Sequence, residues 1–292
     1  ENGCADDIFY NPQTEYTKKL LSDATAEQLL VKEKVFAAQE NPLFTVRHLK
    51  KRFQNEEGVN DVSFDICEGE VFALAGESGS GKTTLAKILT GLEQPDSGEV
   101  FCRGERVDRK NRKRNKNMHG KVRMIFQDPY SSLNPCMTIN EMLTETLRAK
   151  EKQIKFDQKE RKKDRQRQIE QMLTRVGLSS LDGKRYPREL SGGQRQKAAI
   201  ARALLLEPEL LICDEAVSSL DAATRTQILD LLLRVVKEKK IACLFISHDM
   251  ALIRRISHRT GVLYKGTLAE CAKTRDLCRD PWHPYTKALL DS

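Results

Sequence analysis

The residues Gly76-Glu77-Ser78-Gly79-Ser80-Gly81-Lys82-Thr83-Thr84 fit the pattern G-x-x-x-x-G-K-[ST], whose chemistry is the binding of a polyphosphate. Glycines let the backbone curl until successive N–H groups point at phosphate oxygens, and a helix start behind them adds the positive end of its dipole. In such a loop Lys82 reaches the β- and γ-phosphates and the Thr83 hydroxyl binds Mg²⁺. A glycine turn beside an exposed lysine is the plain alternative. The flanks decide against it. Apolar Val71-Phe72-Ala73-Leu74-Ala75 leads in, and Leu85-Ala86-Lys87-Ile88-Leu89 leads out with helical spacing, so the loop joins a strand to a helix as the motif requires.

A second group of residues suits the same chemistry. Leu210-Leu211-Ile212-Cys213 is an apolar strand that delivers Asp214-Glu215 at its tip. Beside a phosphate loop such a pair divides labour, Asp214 ligating or supporting Mg²⁺ and Glu215 polarising the attacking water. Away from a phosphate loop, the same dipeptide would read as a strand end meeting solvent. A third stretch, Leu190-Ser191-Gly192-Gly193-Gln194, is another glycine turn opening a helix and aims backbone N–H groups at an anion. One phosphate loop does not need two anion cradles on one chain, so this one points to a partner's nucleotide; a helix cap with no ligand is the alternative.

The elements that must position these groups follow from periodicity. Leu43-Phe44-Thr45-Val46 opens the main domain as a strand, and Val62 to Ile66 alternates before the turn Glu68-Gly69-Glu70. Glu99 to Phe101, Val122 to Phe126, Leu210 to Cys213 and Ile241 to Ile246 read as further strands. Between 137 and 190 the spacing turns helical, with Met142, Leu143, Thr146 and Leu147 on one face and Ile169, Met172, Leu173 and Val176 on another. That block reads as a helical insert. Helices are expected from Gly192 and over Ala222 to Lys237. Strands alternating with helices imply right-handed crossovers, a mainly parallel sheet and a site at the strands' carboxyl ends.

Bulk composition narrows the class. No apolar run approaches the ~18 residues of a membrane span, and no stretch reads as a signal peptide. The eight cysteines are scattered, several inside predicted strands, as expected of buried reduced thiols. The formal charge of +8 is concentrated in Arg103 to Lys121 and Lys150 to Arg167, where Phe156 is the single interleaved aromatic. These stretches read as solvated faces and argue against nucleic acid, with an acidic partner or anionic headgroups left open.

The glycine loop, Gln127, Leu190 to Gln194, Asp214-Glu215 and Ser247-His248-Asp249, in this order and spacing, resemble an ABC-type ATPase over residues 43–292. The resemblance implies an α/β P-loop NTPase fold with a RecA-like core, an antiparallel β subdomain and an inserted helical subdomain. It implies a head-to-tail pair of ATPase domains, with ATP and Mg²⁺ held between one glycine loop and the other domain's Ser191-Gly192-Gly193-Gln194. Gln127 is then the glutamine that contacts Mg²⁺ or water, His248 the group on the γ-phosphate, Asp221 a contact across the pair, and Phe53 the aromatic that stacks on adenine. Phe126-Gln127-Asp128-Pro129-Tyr130-Ser131-Ser132-Leu133-Asn134-Pro135, Tyr186-Pro187-Arg188-Glu189 and the tail His283 to Leu290 are similar to the ATPases of oligopeptide, dipeptide and nickel importers. That implies permease subunits as partners, an extracytoplasmic solute-binding protein indirectly, and a peripheral place on the cytoplasmic face of the cell membrane. Ala216 stands where this family usually has Pro, and Ser219 where Ala is common; the first is expected to loosen the turn after Glu215. Cys271 and Cys278 alone argue against the iron–sulfur tail of some relatives. A soluble ABC ATPase that remodels a nucleoprotein or activates another enzyme is the rival reading.

The opening of the chain echoes its close. Set against each other without gaps, Tyr16-Thr17-Lys18 falls on Tyr285-Thr286-Lys287 and Leu20-Leu21 on Leu289-Leu290. A chance likeness of two amphipathic helix starts is the plain alternative; the expected organisation is the tail of a preceding ATPase domain over 1–22, a linker over 23–41, the ATPase domain over 42–266 and an importer-type tail over 267–292.

Overall fold

The computed structural model describes residues 13–14, 42–53, 56–107, 121–128, 132–151 and 158–291. Apart from residues 13–14, the expected preceding tail and linker lie outside them, as does much of the two basic stretches.

The antiparallel sheet comes first along the chain. Its strands are β1 (Phe44–Phe53), β2 (Glu56–Ile66), β4 (Ser97–Cys102) and β5 (Glu105–Arg106), ordered β2-β1-β4-β5. Both β1 and β2 run further than the alternation predicted: their far ends pair as a hairpin, with Leu49 and Val59 buried among charged and polar neighbours that hide the strand pattern.

The second sheet holds β3 (Val71–Ala75), β6 (Val122–Ile125), β7 (Leu210–Asp214), β8 (Ala242–Ile246), β9 (Arg259–Tyr264) and β10 (Thr267–Lys273). Its six strands are ordered β10-β9-β3-β8-β7-β6. Strands β3, β7 and β8 are buried along their whole length. Such unbroken apolar runs suit a parallel sheet covered on both faces. Every pairing in it is parallel except the β9–β10 hairpin at the edge.

Helix α1 (Lys82–Thr90) follows β3 and packs between the two sheets, with Leu85, Ile88 and Leu89 buried against Phe72 and Leu74. The helical insert is α2 (Ile139–Glu151), α3 (Gln158–Arg175) and the single turn α4 (Ser180–Gly183), within the predicted 137–190. Met142, Leu143, Leu147, Ile169 and Leu173 join one apolar cluster with α5 (Gly192–Leu204), α6 (Ala222–Lys239) and the outer face of β7 and β8. Cys213 and Cys243 are free thiols buried on those neighbouring strands.

The predicted strand series ends at Ile246, whereas the structure continues it. After α7 (Met250–Ile256) come β9 and β10, then α8 (Thr274–Arg279) and α9 (Pro284–Leu290). Leu277 and Leu289 are buried with Ala73 and Ala75 of β3, Met250, Ile253 and Val262. The boundary expected between 266 and 267 falls inside the β9–β10 turn, so the tail's first strand is the edge strand of the main sheet.

Candidate active site

Strand β3 feeds the glycine loop, and two glycines in it are forced by crowding. Gly76 has φ +143, and a Cβ there would lie 2.3 Å from the Leu263 carbonyl oxygen of β9. Gly81 has φ +104, and a Cβ there would lie 2.1 Å from the Gly58 carbonyl oxygen of β2. Only glycine fits such conformations at such approaches. Gly81 is also the cap residue of α1, which has no side-chain cap; this is the arrangement in which a phosphate takes the first N–H groups of a helix. The Gly266 N–H of the β9–β10 turn donates to the Ser80 carbonyl at 3.0 Å and pins the loop from the other side.

Lys82 is buried, and its Nζ donates to the Gly76 carbonyl at 2.7 Å, the Glu77 carbonyl at 2.6 Å and Ser80 Oγ at 3.3 Å. Burial pulls its pKa down, against the opposing charges of Glu215, Asp214 and Glu77. Glu77, Ser78, Gly79 and Thr83 are exposed along the loop, and Thr84 is half-buried on α1.

Asp214 ends β7 at 6% exposure, yet its Oδ1 has no hydrogen-bond partner. Burial pushes its carboxyl above the ordinary range, and a hydrogen bond with the Thr83 side chain opposes that shift. A buried carboxylate oxygen without a partner, beside a hydroxyl, is the donor chemistry of a hard divalent cation, so these residues fit Mg²⁺.

Glu215 follows in the left-handed region at φ +46. Its Oε2 accepts from Gln127 Nε2 at 3.0 Å, and its Oε1 lies 3.1 Å from His248 Nδ1. Gln127 comes just after β6 and His248 just after β8, so adjacent parallel strands bring this trio together at their carboxyl ends. The turn expected to loosen at Ala216 is tied instead by Ser218, whose N–H and Oγ both donate to the Glu215 carbonyl, at 3.2 and 2.9 Å. Ala216 itself is buried.

The other sequence-predicted residues form a separate cluster. Ser191 caps α5: its Oγ accepts the Gln194 N–H at 3.2 Å while Gln194 Oε1 accepts the Ser191 N–H at 3.0 Å. Gln194 Nε2 also donates to Asp182 Oδ1 at 3.2 Å. Asp221 caps α6 by accepting the Thr224 N–H at 2.9 Å, and a Cβ on Gly193 would lie 2.5 Å from Thr224 Cγ2. Gly192 has open space in front of it. The glycine turn and Asp221 thus share one surface, and their hydrogen bonds stay within that surface.

Phe53 ends β1 at 45% exposure. It reaches the loop through Gly58: a Cβ there would lie 2.8 Å from the Phe53 ring, and the Gly58 carbonyl abuts Gly81. Two contacts escape a reading from sequence. One is the Gly266 grip on Ser80; the other is Tyr285 of α9, whose oxygen accepts the Glu77 N–H at 2.9 Å. The first had a signal, the pair Lys265-Gly266 just after the apolar run Val262-Leu263-Tyr264, which is two-residue hairpin chemistry.

Comparisons with known proteins bear on the family and the fold. A family model described as "ABC transporter" matches residues 59–218, and one described as "Oligopeptide/dipeptide transporter, C-terminal region" matches residues 269–292. The chain is 43% identical over 255 residues to the oligopeptide transport ATP-binding protein OppF of Bacillus subtilis (strain 168), covering 86% of this chain and 82% of that one. It is 38% identical to the glutathione import ATP-binding protein GsiA of Escherichia coli (strain K12), over 99% of this chain but only 51% of that protein's length. Among solved structures, a dimeric post-hydrolysis state of the ATP-binding cassette MJ0796 bound to ADP and Pi superposes with a TM-score of 0.69 at 26% identity, over 80% of this chain and 99% of that one. The fold is shared with cbiO1 from Clostridium perfringens, at a TM-score of 0.72 and 23% identity, over 82% of this chain and 92% of that one.

Proposed function

The chain belongs to the ABC transporter family of ATP-binding proteins, and on that footing we propose that it is the ATP-hydrolysing subunit of a membrane importer for oligopeptides, dipeptides or a related solute. One observation carries the enzymatic part. Lys82, Asp214, Glu215 and His248 converge at the carboxyl ends of parallel strands, beside a glycine loop closed by backbone crowding. The peptide-type cargo is supported by the tail match and by the names of the relatives.

In this reading the loop from Gly76 to Thr84 holds the β- and γ-phosphates through the Lys82 ammonium and through its N–H groups other than that of Glu77, which Tyr285 holds, and Phe53 stacks on the adenine. Thr83, Asp214 and Gln127 would hold Mg²⁺, which neutralises charge on the phosphoryl oxygens. Glu215, oriented by Gln127 and His248, takes the proton of the attacking water. His248 also hydrogen-bonds the γ-phosphate, and Lys82 stabilises charge on its equatorial oxygens. A second ATPase domain, in the same chain or a partner subunit, covers the nucleotide with its own copy of Ser191 to Gln194 and Asp221. Loss of the γ-phosphate removes contacts made from both sides, so the pair opens.

The importer setting places permease subunits against this chain, with an extracytoplasmic solute-binding protein engaged only through them. No helix among the described residues is long and apolar enough to cross a membrane, consistent with a peripheral subunit on the cytoplasmic face. We also propose a tandem organisation, with residues 1–22 as the tail of a preceding domain, 23–41 a linker, 42–266 the ATPase domain and 267–292 the importer-type tail. The echo of Tyr285-Thr286-Lys287 at Tyr16-Thr17-Lys18 supports it, as does an alignment that takes in nearly all of this chain and half of GsiA. The test is ATP turnover by the full-length protein with its permease, together with oligopeptide uptake by cells carrying it. Peptide uptake that persists when turnover is abolished would overturn the importer assignment.

A further inference from the structure

We infer that Tyr285 is a positioning residue for nucleotide binding: from the C-terminal tail it fixes the Gly76–Glu77 peptide on which the Lys82 ammonium rests. This rests on the ATP-site reading above and adds a part to it. The two bonds involved belong to one peptide unit. Its N–H donates to Tyr285 Oη at 2.9 Å, and its carbonyl accepts Lys82 Nζ at 2.7 Å. A peptide is planar, with N–H and C=O on opposite edges, so holding one edge sets the direction of the other. Gly76 at φ +143 has the rotational freedom to let this plane turn, and its own side chain, a hydrogen, cannot prevent it. The Tyr285 oxygen is the clamp.

The tail is built to hold that oxygen still. The Tyr285 ring packs on Tyr264 with centroids 4.3 Å apart, and Tyr264 follows Leu263, whose carbonyl presses against Gly76. His283 Nδ1 accepts the Tyr285 N–H at 3.1 Å, capping the helix that carries it. The Glu270 carboxylate accepts the N–H groups of Trp282 at 3.0 Å and His283 at 3.1 Å, tying the segment before α9 to β10. Leu277 and Leu289 are buried under Ala73 and Ala75, the last residues of the strand that feeds the loop. Burial also pushes the Tyr285 pKa up, so the phenol stays neutral. The tail is therefore part of the loop's support, continuous from β3 through α9 and back to Glu77.

The test compares full-length wild-type protein with Tyr285→Phe, which keeps the ring and its contact with Tyr264 but deletes the acceptor. Titration with a fluorescent ATP analogue should show affinity weakened about three- to tenfold, the effect of one lost hydrogen bond. KM for ATP should rise by the same factor, with kcat and the nucleotide-free melting temperature unchanged. Trp282→Ala alters the same segment at a side chain that is 89% exposed, and should change none of these. In a Lys82→Met background, which takes the ammonium off the Gly76 carbonyl, the Tyr285→Phe penalty should shrink to less than about twofold, the signature of coupled neighbours. Equal affinity of wild type and Tyr285→Phe overturns the inference. So does a penalty that persists undiminished in the Lys82→Met background or comes with a lowered melting temperature, which would make Tyr285 merely structural. Wild-type protein that binds no ATP analogue sinks the ATP-site reading itself and this one with it.

Discussion

The two ends of β3 handle buried polar groups in opposite ways. At the amino end, Glu70 is 2% exposed, and its carboxylate accepts the Cys67 N–H at 2.7 Å and faces the Arg259 guanidinium at 3.4 Å. Val71 donates its N–H to His258 Nδ1 at 3.0 Å and accepts the His258 N–H at 2.9 Å. Nearby, the buried hydroxyls of Ser257, Thr260 and Thr274 close a triangle with edges of 2.8 to 3.2 Å. At the carboxyl end a buried lysine leans on backbone carbonyls, Asp214 Oδ1 has no partner, and Glu215 sits at positive φ. Both ends desolvate charge, which is costly unless it is compensated. One compensates from within the chain and reads as support. The other keeps donors and acceptors in reserve, the mark of a site built for a charged ligand.

This contrast separates function from stability, and the largest effects belong to the carboxyl end. Glu215→Gln keeps the shape and both hydrogen-bond neighbours but removes the proposed base. Phosphate release should fall by about 10²–10⁴-fold, the usual contribution of a positioned general base, while ATP still binds and the paired domains stay closed on gel filtration. Unreduced turnover would remove Glu215 from the chemistry. Lys82→Ala deletes the ammonium that we propose answers the phosphates. Fluorescent-ATP titration should show affinity about 10–100-fold weaker, as expected for the loss of charge-assisted hydrogen bonds. The nucleotide-free protein should melt no lower than wild type, because burying that charge costs the fold.

The amino end should respond the other way round. Glu70→Ala leaves the Cys67 N–H without its acceptor and takes one of two carboxylates from Arg259, whose Nη1 keeps Asp65, at about 1–3 kcal/mol. In a domain of this size that lowers Tm by about 2–4 °C for each kcal/mol, read by differential scanning fluorimetry. ATP affinity should stay within about twofold of wild type, well below the effect of one lost hydrogen bond at the site itself. Weakened binding at unchanged Tm would erase the distinction between the two ends.

Much of the carboxyl end was legible in the sequence because its chemistry is local. Gly76 to Thr84 is contiguous, Asp214-Glu215 follows an apolar run, and the strands that carry them announce themselves by burial on both faces. Gln127 and His248 were placed by resemblance, and the structure supplies what the sequence withheld, their shared hold on Glu215. The amino end was silent because its partners are remote in sequence: Val71 and His258, or Glu70 and Arg259, are joined only by the β3–β9 pairing. The β9–β10 hairpin is hidden for a different reason. Its edge strand, β10, has no buried residue, so it carries little of the apolar signal by which strands are read. Tyr285 belongs to the tail motif, but nothing in its spacing says that the tail returns to the glycine loop.

The subtlest test of the contrast is a pH titration of His258. Its Nδ1 accepts the Val71 N–H, which requires a lone pair that an imidazolium lacks. Burial lowers the ring's pKa from the ordinary 6.5. The folded protein therefore binds fewer protons than the unfolded chain once the pH drops below that value. The His258 contribution to stability is complete above about pH 6.5 and is lost as the pH falls through that value toward the folded pKa, with a slope no steeper than about 1.4 kcal/mol per pH unit. His258→Asn keeps an acceptor for Val71 and cannot titrate. Urea unfolding at pH 7.5 and 5.5 should show the wild type losing more stability than the variant across that interval, with ATP affinity at pH 7.5 the same for both. A wild-type-minus-variant difference that is flat with pH would mean that the ring does not titrate against the strand. Saturating ATP supplies the final discrimination: it should raise stability by the same amount in both proteins, because it answers charges at the other end of β3 and leaves this one as it was.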